Sequence, residues 1–509
     1  MCGILFIQSY KNKICEKKFL DALQKQKYRG PDGSGFKKLP GSNALIGHTR
    51  LSIIGETEGD QPIVSENGEC VVSFNGEIYN YEELNEKYFA GRKFSSDSRV
   101  LVELISLLGE KCLNELQGMF AFVAYNLRTK EVFAARDRFG IKPLYFIETS
   151  KYLGFASEPI SLRSYHDEGV DRESLEEWKD IRRCTPGYTF FNGIFEIQPG
   201  HYWSSGVGCR PWYNLVQKNT VFNEEEFLEI LSKSVSDHLI RDEKVDFTSL
   251  ISGGVDSSTL AILSQPKMLY TTGIEENNEF SEVKDFIDNI NIQAKFHSLT
   301  TEQFWSEVRS LVEVKDEPLM LPNEALIYSV CKSMPIETKV VLTGEGADEI
   351  LFGYNKIFSQ FNSSSKYNLS EFIDRYRYQK NYKLTRFKDY ITTVFINQKS
   401  IHFIEDFFLK FHLPGLLRRA DSAMMAAGKE GRVPFVTTAL IEYCYRIPLE
   451  ERWVNNSPKN VLRQFLKTHG FNATADREKL GFNARPLKQK TSDHYAEFYQ
   501  KQQELISWL

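Results

Sequence analysis

The sequence predicts a two-domain protein of mixed α/β and α+β class, and three observations carry that prediction. The apolar run Phe247 to Ile251 enters Ser252-Gly253-Gly254-Val255-Asp256-Ser257-Ser258 and leaves through Thr259-Leu260-Ala261-Ile262-Leu263, the pattern of a strand, a tight glycine turn and a helix. Further on, strand-like and helix-like segments alternate, which argues for a parallel sheet with helices on both faces. Before residue 200, segments rich in Val, Ile, Phe and Tyr are broken by turn-rich loops. The stretch 204–222 holds Gly206, Gly208, Pro211 and Asn214 and reads as a boundary. The expected organisation is a first domain over 1–205, a linker over 206–222 and a second domain over 223–509.

Composition narrows the class of function. A chain of 509 residues suits about two to four domains. With 41% hydrophobic and 26% charged residues it reads as ordinary globular protein. A net charge of −5 and a pI near 6.1 oppose nucleic acid as the main partner, because a phosphate backbone needs a basic face. No apolar run approaches the roughly 20 residues that cross a bilayer, and Met1 to Ile7 lacks the basic start of a signal peptide. Eight cysteines form no CxxC pair and no zinc spacing, which fits reduced thiols in a cytoplasm. No internal repeat is visible, and Ser363-Ser364-Ser365 reads as a loop. The expectation is a cytoplasmic protein with small-molecule partners, without nucleic acid or membrane.

In chain order, Cys2 is the first candidate. Loss of Met1 would leave its thiol and a free α-amine on one residue. An α-amine has a pKa of about 7.7–8.0, so it can take the thiol proton at neutral pH. Gly3 to Ile7 reads as a buried strand that would hold this terminus. Arg29 to Gly35 is a turn-rich loop, and His48-Thr49-Arg50-Leu51-Ser52-Ile53 runs into a strand. Ser73 to Asn80 carries an Asn75-Gly76 turn signal between apolar residues. Ser95-Ser96-Asp97-Ser98 precedes a helix-like run, Val100 to Leu104. Arg50 as a surface ion pair, Asn75-Gly76 as a hairpin turn and Asp97 as a helix N-cap are the plain structural alternatives.

These stretches, in this order and together with Leu116 to Phe122 and Ala135 to Tyr145, resemble the class II glutamine amidotransferase domain, an N-terminal-nucleophile hydrolase, over residues 2–200. The resemblance implies an αββα sandwich of stacked antiparallel sheets flanked by helices. It implies Cys2 as nucleophile, and the Asn75 amide with the Gly76 N–H as oxyanion hole. Glutamine would be held by Arg50 on its α-carboxylate and by Asp97 and Glu77 on its α-ammonium, with Leu51 and Ile53 in the same site. Arg99 departs from the family's acidic residue and receives no role. Thr185 to Tyr188 and Gln198 to Trp203 look like closing turns.

In the second half, Glu224 to Leu239 has helical spacing, Lys267 to Ile274 and Ala294 to Leu299 read as strands, and Phe280 to Asn289 as a helix. The glycine turn at 252–258 offers unpaired N–H groups at a helix N-terminus, which favour phosphate. It lacks a closing Gly-Lys-Ser/Thr and resembles the pyrophosphate loop of ATP pyrophosphatases. Val340-Val341-Leu342 ends in Thr343-Gly344-Glu345-Gly346-Ala347-Asp348-Glu349, three carboxylates that need a cation beside a triphosphate. Mg²⁺ on Asp256 and Asp348 is the expectation. ATP is expected on Leu250, Ser252, Gly253, Gly254, Asp256, Ser257, Ser258, Thr272, Thr343 and Gly344. Glu345 would steer ammonia and accept its proton, and Lys459 would steady the pyrophosphate.

With Arg432-Val433-Pro434-Phe435 and Lys459, both halves together resemble glutamine-dependent asparagine synthetases over nearly the whole chain. The implied activity is a ligase: glutamine hydrolysis at Cys2, adenylation of an acceptor carboxylate by Mg-ATP, and amidation by ammonia passed through an internal channel. Aspartate is the first acceptor. Family members usually continue Val-Pro-Phe with Leu-Asp, and Val436-Thr437 stands here, so another carboxylate such as a uronic acid stays open. A glutaminase-only or regulatory homologue is the remaining alternative. A homodimer is compatible with the resemblance.

Overall fold

The computed structural model describes residues 2–53, 59–92, 94–216, 220–239, 246–354, 369–380, 382–395, 400–448, 452, 458–477 and 493–506. Ser363-Ser364-Ser365 lies outside them. The chain divides into two compact units, residues 1–175 with 184–214, and residues 176–183 with 215–509.

The first unit is built on two antiparallel sheets of six strands each. One has the order Phe195–Glu196, Tyr145–Glu148, Tyr152–Ala156, Gly3–Ser9, Ala44–Arg50, Gly33–Lys38. The other has the order Gly208–Pro211, His201–Ser204, Val132–Arg136, Gly118–Asn126, Cys70–Ile78, Ile63–Val64. Ile4 and Phe6 of one sheet meet Val71, Ala121, Val123 and Tyr125 of the other in a shared buried core. The outer face of the second sheet is covered by the helices Tyr81–Phe89 and Asp97–Leu108 through Leu84, Val100, Leu101 and Leu104. Helix Glu16–Gln24 covers the first sheet, where its Phe19 and Leu23 pack over Gly47. This is the expected helix–sheet–sheet–helix sandwich. Strands buried on both faces explain why their sequence is continuously apolar. His48 and Arg50 prove to close a strand, Ala44–Arg50, rather than open one, because the strand's apolar start, Ala44-Leu45-Ile46, lies upstream.

The second unit holds a five-stranded sheet in the order Gln293–Leu299, Met268–Ile274, Asp246–Leu250, Thr338–Leu342, Glu430–Arg432. All four pairings are parallel. The chain steps from Asp246–Leu250 outward in one direction and returns on the other side at Thr338–Leu342. The carboxyl ends of these two neighbours flank the point where the strand order reverses, the usual place for a ligand in such a sheet. A separate, largely aromatic core joins the helices Leu369–Tyr376 and Thr385–Phe395 to the π-helical stretch Phe407–His412. Residues 176–183 are fastened to it: Asp180 pairs with Arg377 at 2.5 Å and Glu177 with Arg386 at 2.9 Å.

Candidate functional site

The first unit carries one constellation, at the head of the strand Gly3–Ser9. Cys2 is buried there, its N donates to Asn75 Oδ1 at 3.0 Å, and its carbonyl accepts from Arg29 Nε at 3.2 Å. Arg29 is locked to Glu158 at 2.6 Å, with both side chains buried. Breaking so dry a pair leaves a bare charge, so it acts as a stiff strut behind Cys2. The Nδ2 of fully buried Asn75 has no hydrogen-bond partner. An orphaned buried donor costs about 1–3 kcal/mol, a cost that an acceptor arriving with a ligand would relieve.

Asn75 and Gly76 form no turn. They lie inside the strand Cys70–Ile78, opposite Ala121 and Phe120. The glycine is required for another reason: its φ is +144°, and a Cβ there would come within 2.0 Å of the Met119 carbonyl oxygen. A hairpin signal and a close-packed strand glycine look alike in sequence.

Gly3 pairs with Thr49, so Cys2 and Arg50 leave the sheet at the same end. Arg50 Nη1 reaches Asp60 Oδ1 at 2.7 Å, Leu51 is buried and Ile53 half-buried. Ser96 is the N-cap, its Oγ accepting from Arg99 N at 3.2 Å, and Asp97 is the first helical residue. The Asp97 carboxylate accepts from Ile78 N at 3.1 Å and Ser98 N at 2.7 Å, which binds it to the strand of Asn75, Gly76 and Glu77. Arg99 turns to the Val64 carbonyl at 2.7 Å and to Glu103 at 3.4 Å, a structural use that accounts for the departure there. His48 bonds Ser73 Oγ through Nδ1 at 3.1 Å, and burial, then the amino-terminal charge and Arg50, push its imidazole down to about 3.

The second unit carries a cavity of about 770 Å³ at the strand ends. It gathers Leu250, Ser252, Gly254, Asp256, Ser257, Thr272, Thr343, Gly344, Glu345, Asp348 and Lys459 on its wall. Gly253 and Ser258 are not on that wall. Gly253 lies at φ +69° with its carbonyl taken by Arg477 at 2.8 Å, and Ser258 is fully buried in the first turns of helix Val255–Ser264. Ser257 Oγ fastens the loop, 3.2 Å from Ser252 N and 3.1 Å from Ser252 Oγ. Gly254 caps the helix without a side-chain partner, and the Thr272 and Thr343 hydroxyls are buried without partners.

Lys459 stands one residue ahead of the helix Asn460–Thr468, at φ +60°. Its Nζ lies 2.5 Å from Asp256 Oδ2 and 2.5 Å from Asp348 Oδ1. Burial opposes its charge, but the two carboxylates outweigh burial and hold its pKa above the ordinary lysine value. Glu345 pairs with Arg419 at 3.3 Å.

Two family models divide the chain. The glutamine amidotransferase domain matches residues 1–213 and asparagine synthase matches residues 226–505. The chain belongs to the asparagine synthase family. Among its relatives, a glutamine-hydrolysing asparagine synthetase 3 of Bacillus subtilis is 28% identical, with 92% of this chain and 84% of the relative covered. The asparagine synthetase B of Escherichia coli is 25% identical, covering 95% of this chain and 82% of that one. A putative asparagine synthetase of Methanocaldococcus jannaschii is 29% identical, with 93% and 85% covered. No described helix is long and apolar enough to cross a membrane.

Several contacts of these sites escape a reading of family motifs. Arg29 and Glu158 brace Cys2 across 129 positions of sequence. Also on the wall of the synthase cavity, Tyr354 OH donates to Glu349 at 2.6 Å and meets His412 Nε2 at 3.2 Å, while Tyr376 OH lies 2.7 Å from His412 Nδ1. Arg182 comes from the segment 176–183 and stacks 3.8 Å from the centre of the Tyr378 ring. A charged pair such as Arg418-Arg419 within the apolar helix Leu413–Ala426 is the one local signal available for Arg419.

Proposed function

We propose that the chain hydrolyses glutamine at Cys2 and uses the ammonia, with ATP, to amidate a carboxylate, aspartate first, giving asparagine, AMP and pyrophosphate. The observation that carries the reading is the convergence of the phosphate loop, Asp256, Asp348, Glu345 and Lys459 on one cavity, in a chain whose other unit presents a buried Cys2 beside an unfilled Asn75 donor.

In the first unit, removal of Met1 leaves the α-amine of Cys2 where the Asn75 Oδ1 already accepts from that nitrogen. The amine takes the thiol proton and the sulfur attacks the glutamine side-chain carbonyl. Asn75 Nδ2 and the Gly76 N–H receive the oxyanion. The tetrahedral species collapses to a thioester as the ammonium returns its proton to the departing ammonia, and water then releases glutamate. Arg50 takes the substrate α-carboxylate, exchanging its contact with exposed Asp60, and Asp97 with Glu77 takes the α-ammonium.

In the second unit, Ser252, Gly254 and Ser257 offer the phosphates a helix N-terminus, and Thr272 and Thr343 offer unfilled hydroxyls. Among the described residues no group of three or more His, Cys, Asp or Glu side chains could hold a metal. Asp256 and Asp348 nevertheless converge on one cationic nitrogen, so the pair fits a Mg²⁺ completed by phosphate oxygens. Such an ion would neutralise charge on the phosphates. Lys459 meets the pyrophosphate oxygens, and Glu345 accepts a proton from ammonia as it attacks the activated carboxyl. Cys2→Ala tests the scheme: pyrophosphate release should fail with glutamine and persist with ammonium. Normal glutamine hydrolysis by that variant would refute the role of Cys2.

A further inference from the structure

Arg418 and Arg419 are consecutive, nearly buried arginines on one helix, and they are used differently. Arg418 is committed to Glu317 at 2.7 Å. Arg419 lines the cavity, is 5% exposed, and touches Glu345 through one nitrogen at 3.3 Å while its buried Nε–H has no partner. A guanidinium has five N–H donors arranged as a planar fork that matches a carboxylate. A buried charge with donors left over is an arrangement that a ligand carboxylate completes.

We propose that Arg419 recognises the acceptor by taking a carboxylate that is not activated, so that the acceptor carries at least two anionic groups. The inference rests on the amidotransferase reading above. A guanidinium fork draws charge from both oxygens of the carboxylate it holds and makes them poorer nucleophiles towards phosphorus, so the partner of Arg419 is the anion that does not react. The surroundings favour a dianion. Arg182 lines the same cavity, held by the Tyr378 hydroxyl at 2.6 Å. Buried His412 stays neutral, its pKa well below the ordinary value through burial, then Arg182, Arg419 and Arg183, with Asp348 alone opposing them. The contact of Arg419 with Glu345 places the anchored acceptor beside the group that receives the ammonia proton.

The test measures pyrophosphate release with ammonium as donor and matched acids: aspartate against 3-aminopropanoate, and succinate against propanoate. The wild-type protein should show a KM for each dicarboxylate on the order of 10- to 100-fold below that of its partner lacking one carboxylate, the range expected for a charged hydrogen bond. Arg419→Gln should erase that difference with the KM for ATP unchanged, and Arg419→Lys should restore part of it. An undiminished preference in Arg419→Gln, an equal rise for both acids of a pair, or a parallel loss of ATP binding would overturn the proposal. Absence of pyrophosphate from every acid in the wild type, with glutamine still hydrolysed, would instead sink the acceptor reading itself and this inference with it.

Discussion

Lys459 Nζ lies 2.5 Å from Asp256 Oδ2, so one ammonium ties the first turn of the phosphate-loop helix to the residue ahead of the helix Asn460–Thr468. The same ammonium reaches Asp348, and it therefore stands at the point a divalent ion would occupy. Lys459→Met removes the cation and leaves two facing carboxylates. The variant should lose about 3–5 kcal/mol in urea unfolding, as for other buried pairs stripped of one partner. Millimolar Mg²⁺ should return part of that loss, with little effect on the wild type. A variant indifferent to Mg²⁺ would show that the aspartates do not form a cation site.

The phosphate loop and the Thr343–Glu349 turn were legible because each is a short contiguous run whose chemistry follows from local backbone geometry. Strand, glycine turn and helix at 247–263 needed no long-range information. Arg182 was not legible for the opposite reason. Asp180 and Arg377, the pair that fixes the Arg182 segment, are separated by 197 positions, and no local pattern announces such a contact. The turn signal at Asn75-Gly76 misled in a third way. Its composition is that of a hairpin, and only the Met119 carbonyl on the neighbouring strand shows that the glycine serves close packing. Gly76→Ala should therefore fail to give folded first unit, measured as loss of glutamine hydrolysis together with loss of its cooperative unfolding transition.

Arg50→Lys keeps the charge and loses the fork. The KM for glutamine should rise on the order of tenfold or more, and the KM for ammonium should not move. Steady-state pyrophosphate release with each donor separates the two. Equal damage to both donors would assign Arg50 a structural role through Asp60.

His48 gives the first unit a pH dependence. Its imidazole has a folded pKa near 3 against 6.5 unfolded, so the unfolded chain binds the extra proton between those values. Stability is fully present above pH 6.5 and is lost as pH falls towards 3, at up to about 1.4 kcal/mol per pH unit. Urea unfolding at stepped pH should show that slope, and His48→Leu should reduce it by about one proton. An unchanged slope would mean that His48 titrates normally in the fold.

The two carboxylates of the synthase cavity should separate by the step they serve. Asp256 is held against Lys459 and faces Asp348, so its charge belongs to the phosphates and their cation. Glu345 touches Arg419 at 3.3 Å and its side chain is 23% exposed, so it lies off that cluster, open to the cavity. A carboxylate shared with the phosphate-site cation governs activation of the acceptor, whereas one off that cation, held by a single guanidinium contact, can take a proton from the incoming amine. Asp256→Asn should abolish acceptor-dependent exchange of pyrophosphate into ATP. Glu345→Gln should keep measurable exchange and lose amide formation, by about 100-fold or more for a missing general base. Glutamine hydrolysis at Cys2 should survive both changes. Unchanged amide synthesis by Glu345→Gln with ammonium as donor would remove the proton-accepting role, because glutamine binding and hydrolysis are bypassed in that assay. Retained exchange in Asp256→Asn would place the cation elsewhere in the cavity and assign that aspartate to holding Lys459 in place.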